Sequence, residues 1–146
     1  LEAEIPELGQ TLGQALLTPT TIYAADLLDL ISEIDVHAMA HITGGGLAAN
    51  TERVLPPSMH LIIDRATWEL PPLFSYLQSV GSVPSADLER TFNCGVGMVL
   101  LTPAKSVGAA LALLRRQGHR AWELGEVAPS DGARFGVKLE GAFQNR

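Results

Sequence analysis

A short alternating stretch that ends in three consecutive glycines constrains the fold of this chain more than any other feature. Over residues 36–42, small or apolar side chains at even positions alternate with His, Met and His at odd positions. An alternation of period two predicts a β-strand with one apolar face. The glycines at 44–46 interrupt this pattern, and residues 47–55 have helical spacing up to the pair Pro56-Pro57. The sequence therefore predicts a strand–turn–helix unit with glycines in its turn.

The glycine turn has two possible uses. Glycine adopts positive φ without strain and lets a ligand approach the bare backbone. The first turn of a helix also presents unpaired N–H groups and a positive dipole end, which favour a phosphate or carboxylate. Thr43 would add a hydroxyl group to such a site, and Asn50 would add an amide. The alternative is a tight turn that binds nothing, and the residues by themselves leave both possibilities open.

His41 leads directly into the turn, on the strand face opposite the apolar one. An imidazole titrates near neutral pH, so His41 is a candidate for proton transfer or for a hydrogen bond to a substrate oxygen. The alternative is a structural histidine bonded to a backbone carbonyl.

A second glycine-rich segment, Asn93-Cys94-Gly95-Val96-Gly97, precedes the apolar run at 98–101, which predicts an inner strand. Because it comes before a strand and not before a helix, it lacks the context of a dinucleotide-binding fingerprint. Asn93, Gly95 and Gly97 either line a ligand beside the first turn or form a bulge. Cys94 is interpreted as a small packed thiol, since no feature of the sequence would activate it as a nucleophile.

Composition limits the classes of function. The chain has 146 residues, 47% of them hydrophobic, which suits one domain with its own core. A net charge of −6 without a basic cluster argues against a nucleic-acid partner, and no apolar run is long enough to span a membrane. One cysteine and four histidines without zinc spacing predict no metal site in this chain. These features fit a cytoplasmic protein.

The remaining elements alternate along the chain. Leu27, Leu30, Ile31 and Ile34 have helical spacing, and Pro71-Pro72 opens a second helix that Gly81 ends. Alternating strands and helices predict an α/β (α+β) fold, with a mixed sheet and helices packed against it. We assign residues 1–17 to a linker or arm, 18–140 to the domain and 141–146 to a tail. Further predicted elements are strands at 61–63, 98–101, 121–127 and 135–139 and helices at 85–90 and 103–116.

Several motifs taken together resemble one enzyme family, the phosphoribosylformylglycinamidine cyclo-ligases, also called aminoimidazole ribonucleotide synthetases. The likeness covers about residues 8–127 and corresponds to the C-terminal half of that enzyme. Thr21 departs from it, since the family usually has Arg after Thr-Pro-Thr. The motifs are Leu16-Leu17-Thr18-Pro19-Thr20, His41-Ile42-Thr43-Gly44-Gly45-Gly46 with Asn50 and Arg53-Val54-Leu55-Pro56, Ile63-Asp64 with Trp68 and Pro71-Pro72, Arg90-Thr91-Phe92-Asn93-Cys94-Gly95-Val96-Gly97-Met98, and Gly125-Glu126-Val127.

The resemblance implies a three-layer α/β/α domain and a role in purine biosynthesis. The family uses ATP to convert formylglycinamidine ribonucleotide into aminoimidazole ribonucleotide. It implies ATP and Mg²⁺ as cofactors, held mostly by an N-terminal half that also forms most of a homodimer. Since the chain starts at Leu1 without Met, we expect this half to lie upstream, and residues 1–146 alone to be inactive.

The resemblance implies an active site in the cleft between the two halves, so this chain would supply one wall of it. Within that site the residues considered above have predicted roles, and His41 would be catalytic. The residues expected to bind the phosphoribosyl substrate are Thr43, Gly44, Gly45, Gly46, Asn50, Asn93, Gly95 and Gly97.

Two other functions fit the same residues. One is a half-domain of a related ATP-using enzyme, such as selenophosphate synthetase or thiamine-monophosphate kinase. The other is a stand-alone anion-binding or regulatory module that catalyses nothing. A turnover assay on the full-length protein separates these alternatives.

Overall fold

The computed structural model of the chain describes residues 1–132 and 136–144. The strands are β1 (Glu4–Ile5), β2 (Gln10–Thr11), β3 (Ala38–His41), β4 (Met59–Asp64), β5 (Met98–Leu101), β6 (Gly125–Pro129) and β7 (Gly136–Glu140). The α-helices are α1 (Leu12–Leu16), α2 (Ala24–Glu33), α3 (Gly46–Glu52), α4 (Pro72–Gly81), α5 (Ser85–Thr91) and α6 (Val107–Arg116). Single 3₁₀ turns occupy Pro6–Leu8, Arg65–Thr67 and Ala104–Ser106.

The predicted strand–turn–helix unit is confirmed, since β3 leads through the glycines into α3. The predicted strand at 121–127 is wrong in its first half, because β6 begins at Gly125. The guanidinium of Arg115, at the end of α6, donates two hydrogen bonds to the carbonyl of Ala121, at 2.9 and 2.7 Å. That contact ties the start of the segment to the helix instead of to a neighbouring strand. Phe135, in the last predicted strand, lies outside the described residues.

The predicted mixed sheet is present, divided between two sheets. β3 and β5 pair antiparallel, with His41 opposite Met98. β4 lies in the middle of a three-stranded sheet, antiparallel to β6 and parallel to β7. The short strands β1 and β2 form a separate hairpin. The chain therefore has an α+β fold with a mixed central sheet, as the sequence predicts.

Two hydrophobic clusters lie on opposite sides of β5. Val99 of β5 belongs to the first cluster, while Met98 and Leu100 pack against the second. Because successive residues of a strand point to opposite faces, β5 lies between the two clusters, with helices on both sides. The first cluster comprises Ala40, Ile42, Leu47, Leu55, Leu61, Ile63, Trp68, Val96 and Val99. The second comprises Leu27, Leu30, Ala110, Leu113 and Leu114, contributed by α2 and α6.

Residues near both ends of the described part of the chain have definite structure. In the segment assigned to an arm, Thr11 and Gln14 form a reciprocal capping box that starts α1. In the segment assigned to a tail, the ring of Phe143 packs edge-on against Trp68, with centroids 5.2 Å apart, and the Gln144 amide donates to the Trp68 carbonyl. Among the described residues, no helix has the length and apolar character needed to cross a membrane.

Candidate functional site

The glycine turn joins the end of β3 to α3, and only two of its three glycines have a backbone conformation that favours glycine. Gly45 and Gly46 have φ values of +102° and +73°, which L side chains rarely adopt. Gly44 lies outside this left-handed region, and an added Cβ there would meet no atom within 4 Å. Gly44 and Gly45 are exposed, whereas Gly46 is buried. The three glycines therefore have three different environments.

Gly46 is required by close packing as well as by φ. A Cβ at this position would lie 1.7 Å from the carbonyl oxygen of Glu89, in α5. The contact brings the start of α3 against the backbone of α5, and it explains why a side chain does not fit there. Because α3 has only seven residues, any anion site here would depend on the main-chain N–H groups of the turn more than on the dipole of the helix.

Asn50 holds the turn in shape. Its side chain is buried, and its amide nitrogen lies within hydrogen-bonding distance of the carbonyls of Thr43 (3.2 Å), Gly44 (3.3 Å) and Gly46 (2.7 Å). Its side-chain oxygen accepts a hydrogen bond of 3.1 Å from Arg53. These contacts give Asn50 a positioning role in the turn, and a direct contact with substrate stays a prediction.

The second glycine-rich segment adjoins the first turn. The backbone amide of Ile42 donates to the carbonyl of Gly97 at 2.9 Å, one residue before β5 begins. Asn93 accepts a hydrogen bond from the amide of Gly95 at 3.1 Å and so closes a local turn. A Cβ on Gly95 would lie 2.6 Å from the ring of Pro71. The structure thus brings His41, the glycine turn and the second segment together at one end of the β3–β5 pair.

A cluster of ring side chains lies beside this junction, and the sequence did not indicate it. The Tyr23 hydroxyl faces the backbone of Gly97, where a Cβ would lie 2.0 Å from it. The Tyr23 ring stands edge-on to His41, with centroids 6.0 Å apart, and stacks on His119 at 5.8 Å. His119 in turn lies 2.7 Å from a carboxylate oxygen of Asp26. Only the position of Tyr23 shortly after the Thr18-Pro19-Thr20 motif could have pointed to it.

Cys94 is a packed thiol. It is buried, its own carbonyl accepts the indole N–H of Trp68 at 3.0 Å, and burial raises the pKa of its thiol to about 11, with a further contribution from Glu89. A thiol with so high a pKa stays protonated at neutral pH, so Cys94 does not act as a nucleophile there. The structure agrees with the interpretation made from the sequence.

The same region contains a bidentate ion pair. Arg65 donates to both carboxylate oxygens of Glu89, at 2.6 and 2.8 Å, and both side chains are largely buried. The hydrogen bond to Glu89 raises the pKa of Arg65 above its ordinary value. This pair connects the end of β4 to α5, the helix that packs against Gly46.

The other candidates from the sequence lie at the periphery. Thr21, at the position where the resembling family usually has Arg, is exposed. His37 precedes β3 and pairs with Asp35 at 3.4 Å on the surface. Within residues 1–132 and 136–144, no three His, Cys, Asp or Glu side chains are grouped so that they could hold a metal ion.

Comparisons with known proteins agree with one another. Residues 1–138 match the family model described as AIR synthase related protein, C-terminal domain. Over 127 residues the chain is 50% identical to a Streptomyces fradiae protein provisionally named phosphoribosylformylglycinamidine cyclo-ligase, covering 87% of this chain and 70% of the relative. Among solved structures, HypE of E. coli, a hydrogenase maturation protein, is similar with a TM-score of 0.55 and 20% identity. The structural likeness covers 79% of this chain and 34% of HypE, so the chain spans about a third of the length of HypE. This likeness concerns the fold alone.

Proposed function

Because the chain belongs to the AIR synthase related protein family, whose C-terminal domain it matches, we propose that it forms one wall of the active site of a cyclo-ligase. The proposed reaction is the ATP-dependent closure of the imidazole ring in purine biosynthesis, which turns formylglycinamidine ribonucleotide into aminoimidazole ribonucleotide. The observation that carries the proposal is the exposed glycine turn beside His41. It occurs in a chain that is 50% identical over 127 residues to a relative provisionally named as a cyclo-ligase.

The glycine turn is proposed to bind the substrate phosphate. Gly44 and Gly45 expose main chain without side chains, and Asn50 holds that main chain from the buried side. A backbone without side chains lets an anion approach its N–H groups closely. Because the turn is already held in one conformation, binding does not carry the entropic cost of ordering a loop. Gly97 and its neighbours would border the same ligand, since the Ile42–Gly97 hydrogen bond places them next to the turn.

His41 is proposed to act on the reacting atoms. It is exposed at the end of β3, and the ring of Tyr23 stands edge-on beside it. ATP supplies the phosphoryl group that activates the formyl amide oxygen in the proposed reaction, held with Mg²⁺ mostly by a partner domain outside residues 1–146. His41 would donate a hydrogen bond to that oxygen or accept the proton of the attacking amidine nitrogen.

The test is a turnover assay on the full-length enzyme with formylglycinamidine ribonucleotide and ATP. Gly44→Val should raise KM for this substrate by about tenfold or more, since it removes charge-assisted hydrogen bonds between backbone and phosphate. Gly108→Val is the matched control, because Gly108 is also exposed and a Cβ there meets nothing within 4 Å. It should leave KM unchanged.

The dephosphorylated substrate shows whether the effect of Gly44→Val on KM depends on the phosphate or on the rest of the ligand. Its KM should be the same for Gly44→Val and the wild type. An unchanged KM for the phosphorylated substrate in Gly44→Val would refute phosphate binding at the turn. A full-length protein that binds the substrate but never closes the ring would instead support the anion-binding module.

A further inference from the structure

The two parts of the central sheet leave an open space between them. A cavity of about 780 Å³ lies between β5 and β6. Among residues 1–132 and 136–144, β5 pairs with β3 alone and β6 pairs with β4 alone. Each of the two strands therefore has a second edge without a strand partner, and an unpaired edge presents N–H and C=O groups that seek hydrogen bonds.

The lining of the cavity shows that these edges face it. On one side all of β5 borders the cavity, within an unbroken run over residues 95–102, and on the other side the run over 119–127 ends with the first three residues of β6. Side chains of successive strand residues point to opposite faces, so a space lying over one face would touch only alternate residues. Unbroken contact along β5 and along the first three residues of β6 is what a slot between two strand edges produces.

Apolar side chains close the slot above and below. Leu61, Val99 and Val127 line it from the first hydrophobic cluster, and Leu30, Leu100 and Leu114 line it from the second. A segment lying in the slot would be covered on both faces by apolar groups. Strands covered on both faces in proteins are continuously apolar rather than alternating.

We propose that the slot holds one extended β-strand of about five residues, apolar on both faces, supplied by another part of the full-length polypeptide. This strand would pair with β5 on one side and β6 on the other, and the two sheets would become a single six-stranded sheet. The volume alone would also suit a small molecule. An apolar small molecule, however, leaves both rows of backbone groups unpaired, whereas a strand pairs with them.

The source of the strand rests on the proposed function, in which residues 1–146 are one domain of a longer enzyme. A segment between two elements of the sheet becomes part of the core, so it must be present whenever the domain folds. A segment of the same polypeptide meets that condition, because its local concentration does not depend on a partner.

Photocross-linking in the full-length enzyme tests the proposal. The photoreactive amino acid p-benzoylphenylalanine is placed at Leu100 of β5 and, separately, at Leu124 just before β6; both residues border the slot. The control position is Val80, which is 69% exposed in α4. Mass spectrometry should find an intramolecular cross-link from both slot positions to one stretch of sequence outside residues 1–146, at a yield several-fold above that from Val80.

A cross-link between two protomers, to a copurified small molecule, or to nothing beyond the Val80 background would overturn the proposal. Hydrogen exchange of the unmodified full-length enzyme covers the case in which the probe disturbs folding. Amides of β5 and β6 should exchange as slowly as those of β4, which is paired on both sides. Rapid exchange of alternate amides in β5 and β6 would also overturn it. Neither readout depends on turnover, so failure of the proposed cyclo-ligase activity leaves both outcomes interpretable.

Discussion

Alanine substitution of the three consecutive glycines should produce three different changes in stability. Gly44 has an ordinary φ and free space, Gly45 has a left-handed φ and ordinary contacts, and Gly46 has both a left-handed φ and a backbone atom in the place of its Cβ. Replacing glycine also restricts the unfolded chain, which favours folding by about 0.4–1 kcal/mol. Because this gain is the same at all three positions, differences between the variants report the folded state.

The expected magnitudes follow from these environments. Gly44→Ala should raise the free energy of unfolding by about 0.4–1 kcal/mol, because only the effect on the unfolded chain acts there. Gly45→Ala should be less stable than Gly44→Ala by about 1–2 kcal/mol, the cost of a left-handed backbone for an L-residue. Gly46→Ala adds overpacking against the Glu89 carbonyl, for a total of about 2–5 kcal/mol.

The Glu89 carbonyl cannot move aside easily. The side chain of Glu89 accepts both hydrogen bonds from Arg65, and the neighbouring residue Leu88 is 1% exposed. A shift of this carbonyl therefore means a shift of α5 as a whole. Relief of the 1.7 Å contact should cost more than the small adjustments that a surface loop permits.

Urea unfolding followed by tryptophan fluorescence measures the three changes in stability. Trp68 is 1% exposed in the first hydrophobic cluster, so its emission reports the integrity of this domain. The order of stability should be Gly44→Ala, then Gly45→Ala, then Gly46→Ala. If Gly46→Ala were as stable as Gly44→Ala within about 0.5 kcal/mol, close packing of the turn against α5 would be refuted.

Three further predictions concern side chains around the turn. Burial raises the pKa of Cys94 from 9.0 to about 11, so the contribution of its neutral thiol to stability is complete below pH 9 and is lost as the pH rises towards 11. The difference in unfolding free energy between wild type and Cys94→Ala should change by at most about 3 kcal/mol over that interval. Parallel curves of unfolding free energy against pH for the two proteins would contradict this. A double-mutant cycle with Arg65→Gln and Glu89→Gln should give a coupling of about 1–3 kcal/mol, and a value near zero would show that the pair does not hold α5. In the full-length enzyme, His41→Asn should lower kcat by about 10²-fold or more with little change in Tm, while the exposed control His37→Asn keeps kcat; a lower Tm with normal kcat would make His41 structural.

Local spacing was sufficient for the elements that depend on short-range preferences. The alternation at 36–42 predicted β3, and the spacing of Leu27 and Leu30 predicted α2, because each pattern places its apolar residues on one face of a regular backbone. The three glycines located the turn for a similar reason, since few other residues interrupt a strand so abruptly. The joint motif pattern also identified the family, which the comparisons confirm.

The sequence by itself determined where the turn lies and which residue types it exposes. Only the tertiary structure decided that Gly46 is required by the Glu89 carbonyl, that Asn50 holds the turn from inside, and that Gly97 adjoins it through Ile42. The proximity of Tyr23 to His119 and the slot between β5 and β6 belong to the same class of fact. Backbone preferences act between residues a few positions apart, and spacing records them. Contacts between distant segments depend on how complete elements pack, and no local pattern carries that information.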